Sequence, residues 1–175
     1  SLLKPLIYLN AIESGRYTWA SPIEDSAVNI PVDGNKTWTP KNYSGGDHGV
    51  VPMQQALANS YNLSAVRVGN EFGISTFSNK LRQFGVSSDI PAYPSIYLGA
   101  VNMSPMEVLG IYGNFATGGF KYPPRSIRTV VDAQGRVLER YALNVQQTIE
   151  PAAAYILNYG LQQVMSSGTG RSAYN

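Results

Sequence analysis

Ser1-Leu-Leu-Lys-Pro-Leu-Ile-Tyr-Leu-Asn-Ala-Ile-Glu13 opens the chain, and its reading decides the fold. Leu2, Leu3, Leu6, Ile7, Leu9 and Ile12 put apolar side chains on most sides of a helix over residues 1–13. A helix apolar nearly all round is a buried one. Pro5 is tolerated only in a first turn, which sets the helix start close to Ser1, and Ser14-Gly15 ends it. Ser1 and Lys4 are then almost one turn apart, about 4.5 Å of rise, and share a face. A serine hydroxyl is a weak nucleophile until a base takes its proton. Lysine is such a base only when neutral, so its usual pKa of about 10.4 has to fall toward 7. Leu3, Leu6 and Ile7 offer the burial that does this. A chain of this length holds about one Ser-x-x-Lys by chance. The competing reading is therefore a helix-capping serine beside a solvated lysine.

Ser60-Tyr61-Asn62 is the second candidate. It follows a helix expected over Val51–Asn59, with Pro52 at its first position and Met53, Ala56 and Leu57 on one face. Ser60 continues that face and turns its hydroxyl toward the core or a cleft. There it can relay a proton between Lys4 and a leaving group, while the Asn62 amide can bond both Lys4 and a substrate carbonyl. The competing reading is a plain turn, since Ser and Asn are common turn formers.

Working outward, residues 16–50 read as a long irregular excursion anchored by Trp19 and Trp38, too long for a linker. Helices are expected near 63–71 and 74–84, closed by Gly73 and Gly85. Ser104-Pro-Met-Glu107 carries a capping box for a helix to about Thr117. Ser126–Val131 and Arg136–Tyr141 read as a β-hairpin, and a last helix runs from Pro151 to Gly168. The class is α/β of α+β type, mostly helical with one β-hairpin.

At 175 residues the chain is long enough for one domain with its own core. It has no cysteine and one histidine, His48, which excludes disulfides, thiol catalysis and HExxH metal chemistry. The net charge of +2 gives no basic stripe for nucleic acid. No cofactor and no metal is expected. No apolar run of about 18 residues is present, so any membrane attachment is expected to lie in a segment outside this chain, which reads as an internal piece of something larger. Lys36-Thr37-Trp38 has a tryptophan where a substrate-lining glycine would be needed. Gly168-Thr-Gly170-Arg-Ser-Ala173 matches a dinucleotide fingerprint but follows a helix, not a strand. Asp47 and His48 are adjacent and poorly placed to pair, so His48 reads as a surface residue.

Several motifs recur in one order. They are Ser1-Leu-Leu-Lys4-Pro5, Trp38-Thr-Pro40-Lys-Asn42, Ala56-Leu-Ala-Asn-Ser60-Tyr-Asn62, Leu98-Gly99, Ser104-Pro-Met-Glu107 running to Phe115-Ala-Thr-Gly118-Gly119, and Gly168-Thr-Gly170. That order resembles the transpeptidase domain of class A (bifunctional) penicillin-binding proteins. The resemblance implies a penicillin-binding protein/serine β-lactamase-like fold, of which residues 1–175 form a partial domain lacking the Lys-Thr-Gly block and most of the central antiparallel sheet. It implies Ser1 as acylated nucleophile, Lys4 as general base, Ser60 as proton shuttle and Asn62 as the residue positioning Lys4 and the substrate amide. The implied reaction is D,D-transpeptidation of peptidoglycan stem peptides, from a D-Ala-D-Ala donor to an amine acceptor, on the periplasmic side of the bacterial inner membrane. β-Lactams would acylate Ser1. The parent would also carry a glycosyltransferase. Two alternatives stay open: a D,D-carboxypeptidase or penicillin sensor of the same fold, and a non-catalytic cell-wall-binding module.

Overall fold

The structure, a computed structural model, describes residues 2–32 and 34–173. Helix α1 (Lys4–Glu13) is its axis, and every residue from Lys4 to Ile12 is buried. The helix starts at Lys4 rather than at Ser1, with Pro5 in the first turn, where a missing N–H leaves no bond unmade.

Four short strands follow: β1 (Pro22–Asp25), β2 (Ile30–Val32), β3 (Lys36–Trp38) and β4 (Gly49–Pro52). This corrects the irregular reading of residues 16–50. β1 pairs antiparallel with β4, from Pro22 opposite Pro52 to Asp25 opposite Gly49, and β2 pairs with β3. The strands escape a sequence reading because they are three or four residues long and β1 finds its partner far along the chain. Inward and outward residues do alternate along β1, but one of its two inward side chains is the carboxylate of Asp25. A hydrophobic pattern reads that position as outward.

β4 also takes the residues expected to begin the next helix. Helix α2 spans Met53–Ala58, and Pro52 is its extended N-cap. Helix α3 (Asn62–Phe72) and helix α4 (Ile74–Gln83) meet at Gly73, whose φ of 85° lets one residue end the first and begin the second. A 3-10 turn (Pro94–Leu98) leads to helix α5 (Pro105–Ala116), where the capping box is complete. The Ser104 Oγ accepts from the Glu107 backbone N–H at 3.2 Å, and the Ser104 N–H donates to Glu107 Oε2 at 2.8 Å. Glu107 Oε1 also accepts from the backbone of Ser87 and Ser88, so the cap ties the segment after α4 to α5. Hydrogen bonds from Ser104 and then Ser88 hold the Glu107 carboxyl far below the usual carboxylate range.

Beyond α5, β5 (Phe120–Lys121), β6 (Thr129–Val131), β7 (Val137–Arg140) and β8 (Gln146–Gln147) form two more antiparallel pairs, β5 with β8 and β6 with β7. The expected hairpin is the β6–β7 pair. Four two-stranded pairs among the described residues thus extend the single pairing expected, and the α+β class stands. Helix α6 (Pro151–Ser166) closes the fold. α1 packs against α2, α3, α4 and α6, and α5 packs against α6. Trp19 anchors as expected, donating its Nε1–H to the Ile156 carbonyl on α6 at 2.7 Å. The core gathers Leu6, Ile7 and Leu9 of α1 with Met53, Val66, Phe77 and Leu157. Each such side chain contributes roughly 1.5–3 kcal/mol by leaving water.

Candidate active site

Lys4 leads α1 and is 2% exposed. A buried ammonium needs partners, and the turn joining α2 to α3 supplies them. Lys4 Nζ donates to the Ser60 carbonyl at 2.5 Å, to Ser60 Oγ at 3.0 Å and to Asn62 Oδ1 at 2.6 Å. Burial nevertheless dominates and lowers the lysine pKa from 10.5 to about 8, against an upward pull from the Asp25 charge. Lys4, Ser60 and Asn62, distant in sequence, therefore share one point in space. Ser1, the fourth expected site residue, lies outside the described residues.

The geometry of the turn is unusual. Ser60 has φ 56°, left-handed backbone that a non-glycine residue rarely adopts. The turn is held by backbone bonds from Ser60 N to the Leu57 carbonyl and from Tyr61 N to the Ala56 carbonyl, both 3.0 Å. The chain's later end braces the same place: Thr169 N donates to the Ala58 carbonyl at 3.0 Å. Gly168 packs so closely against that carbonyl that a Cβ would overlap it, so only glycine fits. The Gly168-Thr-Gly170 run is thus a close-approach turn, and a dinucleotide role has no support from it.

A second polar cluster lies beside the first, and the sequence did not reveal it. Asp25 is fully buried. Its Oδ1 accepts from the Ser64 backbone N–H at 2.9 Å and from Ser64 Oγ at 2.7 Å. Its Oδ2 accepts from Asn42 Nδ2 and from His48 Nδ1, both at 2.6 Å. Burial alone would push the Asp25 carboxyl up, but bonds from His48, Ser64 and Asn42 outweigh it and hold the pKa below its ordinary value. His48 is therefore an exposed residue as expected, yet a paired one, with Asp25 rather than with its neighbour Asp47. The order is wrong for a serine triad. Ser64 and His48 both donate to the carboxylate, whereas a triad needs the histidine between the other two. Asn42 belongs to the Trp38-Thr-Pro40-Lys-Asn42 run, but its type alone gave no role. For Asp25 the available signal was its inward register with Ile23 on β1.

Comparison with known proteins gives the family. The penicillin-binding protein transpeptidase domain model matches residues 1–174. This chain belongs to that family. Penicillin-binding protein 1B of Vibrio cholerae is 35% identical over 173 residues, covering 98% of this chain and 22% of that protein. Penicillin-binding protein 1A of Neisseria flavescens is 34% identical over 181 residues, covering 99% and 23%. The chain thus spans about a fifth of the length of these curated relatives. Among solved structures, penicillin-binding protein 1A from Haemophilus influenzae superposes with a TM-score of 0.86 at 25% identity, over 98% of this chain and 31% of that one. An imipenem acyl-enzyme of penicillin-binding protein A from Mycobacterium tuberculosis shares the fold, with a TM-score of 0.80 at 21% identity over 95% of this chain and 43% of that one. The transpeptidase-domain fold expected from the order of motifs is thus the fold found. Among the described residues no helix is long and apolar enough to cross a membrane.

Proposed function

We propose that this chain carries the acylation centre of a peptidoglycan D,D-transpeptidase, a serine-type acyltransferase. The observation that carries the reading is the convergence of Ser60 Oγ and Asn62 Oδ1 on a buried Lys4 Nζ. In this reading Ser1 Oγ attacks the carbonyl carbon between the two terminal D-alanines of a stem peptide, and its proton passes to neutral Lys4. With a pKa of about 8, roughly a tenth of Lys4 is neutral at pH 7, a usable fraction of base. The tetrahedral intermediate collapses with cleavage of the peptide bond, and the departing D-alanine amine takes a proton relayed from Lys4 through Ser60. An amine of a neighbouring stem peptide then attacks the Ser1 ester, loses a proton along the same path, and frees the serine. Asn62 orients Lys4 and the substrate amide. A β-lactam enters at the same step, its ring amide opening onto Ser1 with no leaving group free to depart.

In the parent protein, a Lys-Thr-Gly strand outside residues 1–175 completes the site by binding the substrate carboxylate and one side of the oxyanion. The parent also carries a glycosyltransferase, and works at the periplasmic side of the inner membrane through an anchor outside this chain. Intact mass of the full-length parent after exposure to benzylpenicillin tests the reading, with Ser1→Ala alongside. A single adduct that maps to Ser1 and disappears in the variant is expected. A folded parent that forms no adduct overturns it.

A further inference from the structure

Asp25 and its partners lie outside the residues to which a chemical step is assigned, yet they grip the turn that holds two of them. Asn42 Oδ1 accepts from the backbone N–H of Asn62 at 2.6 Å and of Leu63 at 3.2 Å. Asn42 Nδ2 is held in turn by Asp25 Oδ2 and by the Gly46 carbonyl at 3.0 Å. The Asn62 side chain is oriented from the same segment, its Nδ2 donating to the Lys41 carbonyl at 2.8 Å, which leaves Oδ1 facing Lys4. On the other side the His48 ring stacks on Tyr61, centroids 3.9 Å apart and planes 9° from parallel, while its Nδ1 is bonded to Asp25. Tyr61 stands between Ser60 and Asn62 in the chain. One carboxylate therefore anchors both grips on the turn, and Ser64 on α3 fixes that carboxylate.

We propose that Asp25 is a positioning residue for acylation: through Asn42 and His48 it clamps the Ser60–Asn62 turn. The inference rests on the reading of Lys4 as base. A left-handed serine is a conformation that persists only where its surroundings over-determine it, and this clamp is the device that does so. Among the described residues, the titratable groups facing Lys4 and Asp25 are few. Asp25 comes from β1, His48 from the segment before β4, and Tyr8 from α1, whose phenol burial and the Asp25 charge keep neutral. The Asp25 charge is the influence that raises the Lys4 pKa.

The test is the pH profile of single-turnover acylation by a fluorescent penicillin, in the full-length parent, for wild type, Lys4→Ala, Asp25→Asn, His48→Ala and His48→Phe. In Asp25→Asn the new amide nitrogen faces the Asn42 amide, donor against donor, and the negative charge is gone. Acylation is expected to slow roughly 100-fold, the effect of a misplacement on the order of 1 Å. The midpoint of the acid limb is expected to move below that of the wild type, because the charge that holds Lys4 protonated has been removed. His48→Ala is expected to slow acylation roughly tenfold, for loss of a bond and a stack. His48→Phe, which retains the stack, should recover part of that loss. A folded Asp25→Asn protein that acylates at the wild-type rate across the whole pH profile overturns the inference. Should Asp25→Asn not fold, the exposed His48 carries the test, and a His48→Ala rate equal to wild type overturns it. Lys4→Ala acylating like wild type would remove the base reading and this inference together, an outcome the other variants cannot mimic.

Discussion

Lys4 and Asp25 are both buried charged side chains in neighbouring polar clusters, and the protein treats them in opposite ways. Among the described residues Lys4 has three oxygen acceptors, but burial prevails and its pKa falls to about 8. Asp25 has four donated bonds, and they prevail over burial, so it stays ionised. The difference lies in whether partners or desolvation dominate. One site holds a group able to shed its proton near neutral pH. The other holds a fixed negative charge that never needs to. Their linkage to stability has opposite signs. The folded pKa of Lys4 lies below its unfolded value. Its burial therefore costs stability, about 3 kcal/mol in full below pH 8, and the cost is relieved as pH rises from 8 toward 10.5. Asp25 has a folded pKa below its ordinary 3.8, so it contributes stability above that value and loses it as pH falls through the folded pKa.

The sharpest way to break the contrast is Asp25→Ala, which strands four donated bonds in the interior. Its expected cost is about 3 kcal/mol, read as a lower midpoint for the thermal transition that benzylpenicillin binding displaces. An unchanged transition would mean the carboxylate is no anchor. Next in size is the pH dependence of acylation by the wild-type parent. Protonated Lys4 cannot accept the serine proton, so the rate should fall roughly tenfold per unit below about pH 8 and level above it. A rate flat from pH 9 to pH 5 would remove Lys4 as the base. The smallest effect sharpens the comparison by its size. Lys4→Met abolishes acylation yet should change stability at pH 7 by less than about 1 kcal/mol, because relief from burying the ammonium offsets the acceptors on Ser60 and Asn62 that lose their donor. Thermal unfolding of Lys4→Met beside Asp25→Ala reads the two costs in one experiment.

How much of this was legible beforehand follows the range of the interactions. α1 could be read from its all-round apolar sequence, and α5 from a capping box contained in Ser104–Glu107, because both are local. Gly73 and Gly85 marked helix ends for the same reason. The β1–β4 pair was invisible, since residues 22–25 gain a partner only through register with residues 49–52. Lys4, Ser60 and Asn62 were legible as residue types, while their meeting depends on α2 and α3 packing on α1. Asp25 was hidden for a deeper reason. An inward carboxylate contradicts the hydrophobic pattern that would announce it, and such conflicts collect where a fold serves chemistry as well as stability.

The backbone of Ser60 restricts what can replace it. Threonine carries the same hydroxyl, and on chemical grounds the two residues would be interchangeable as a proton relay. At a φ of 56° they are not, because a second substituent on the β-carbon crowds left-handed backbone. The turn therefore chooses between two alcohols by shape before any reaction is considered. The substitutions open to this position are set as much by the angle of its chain as by the proton-relay role proposed for it.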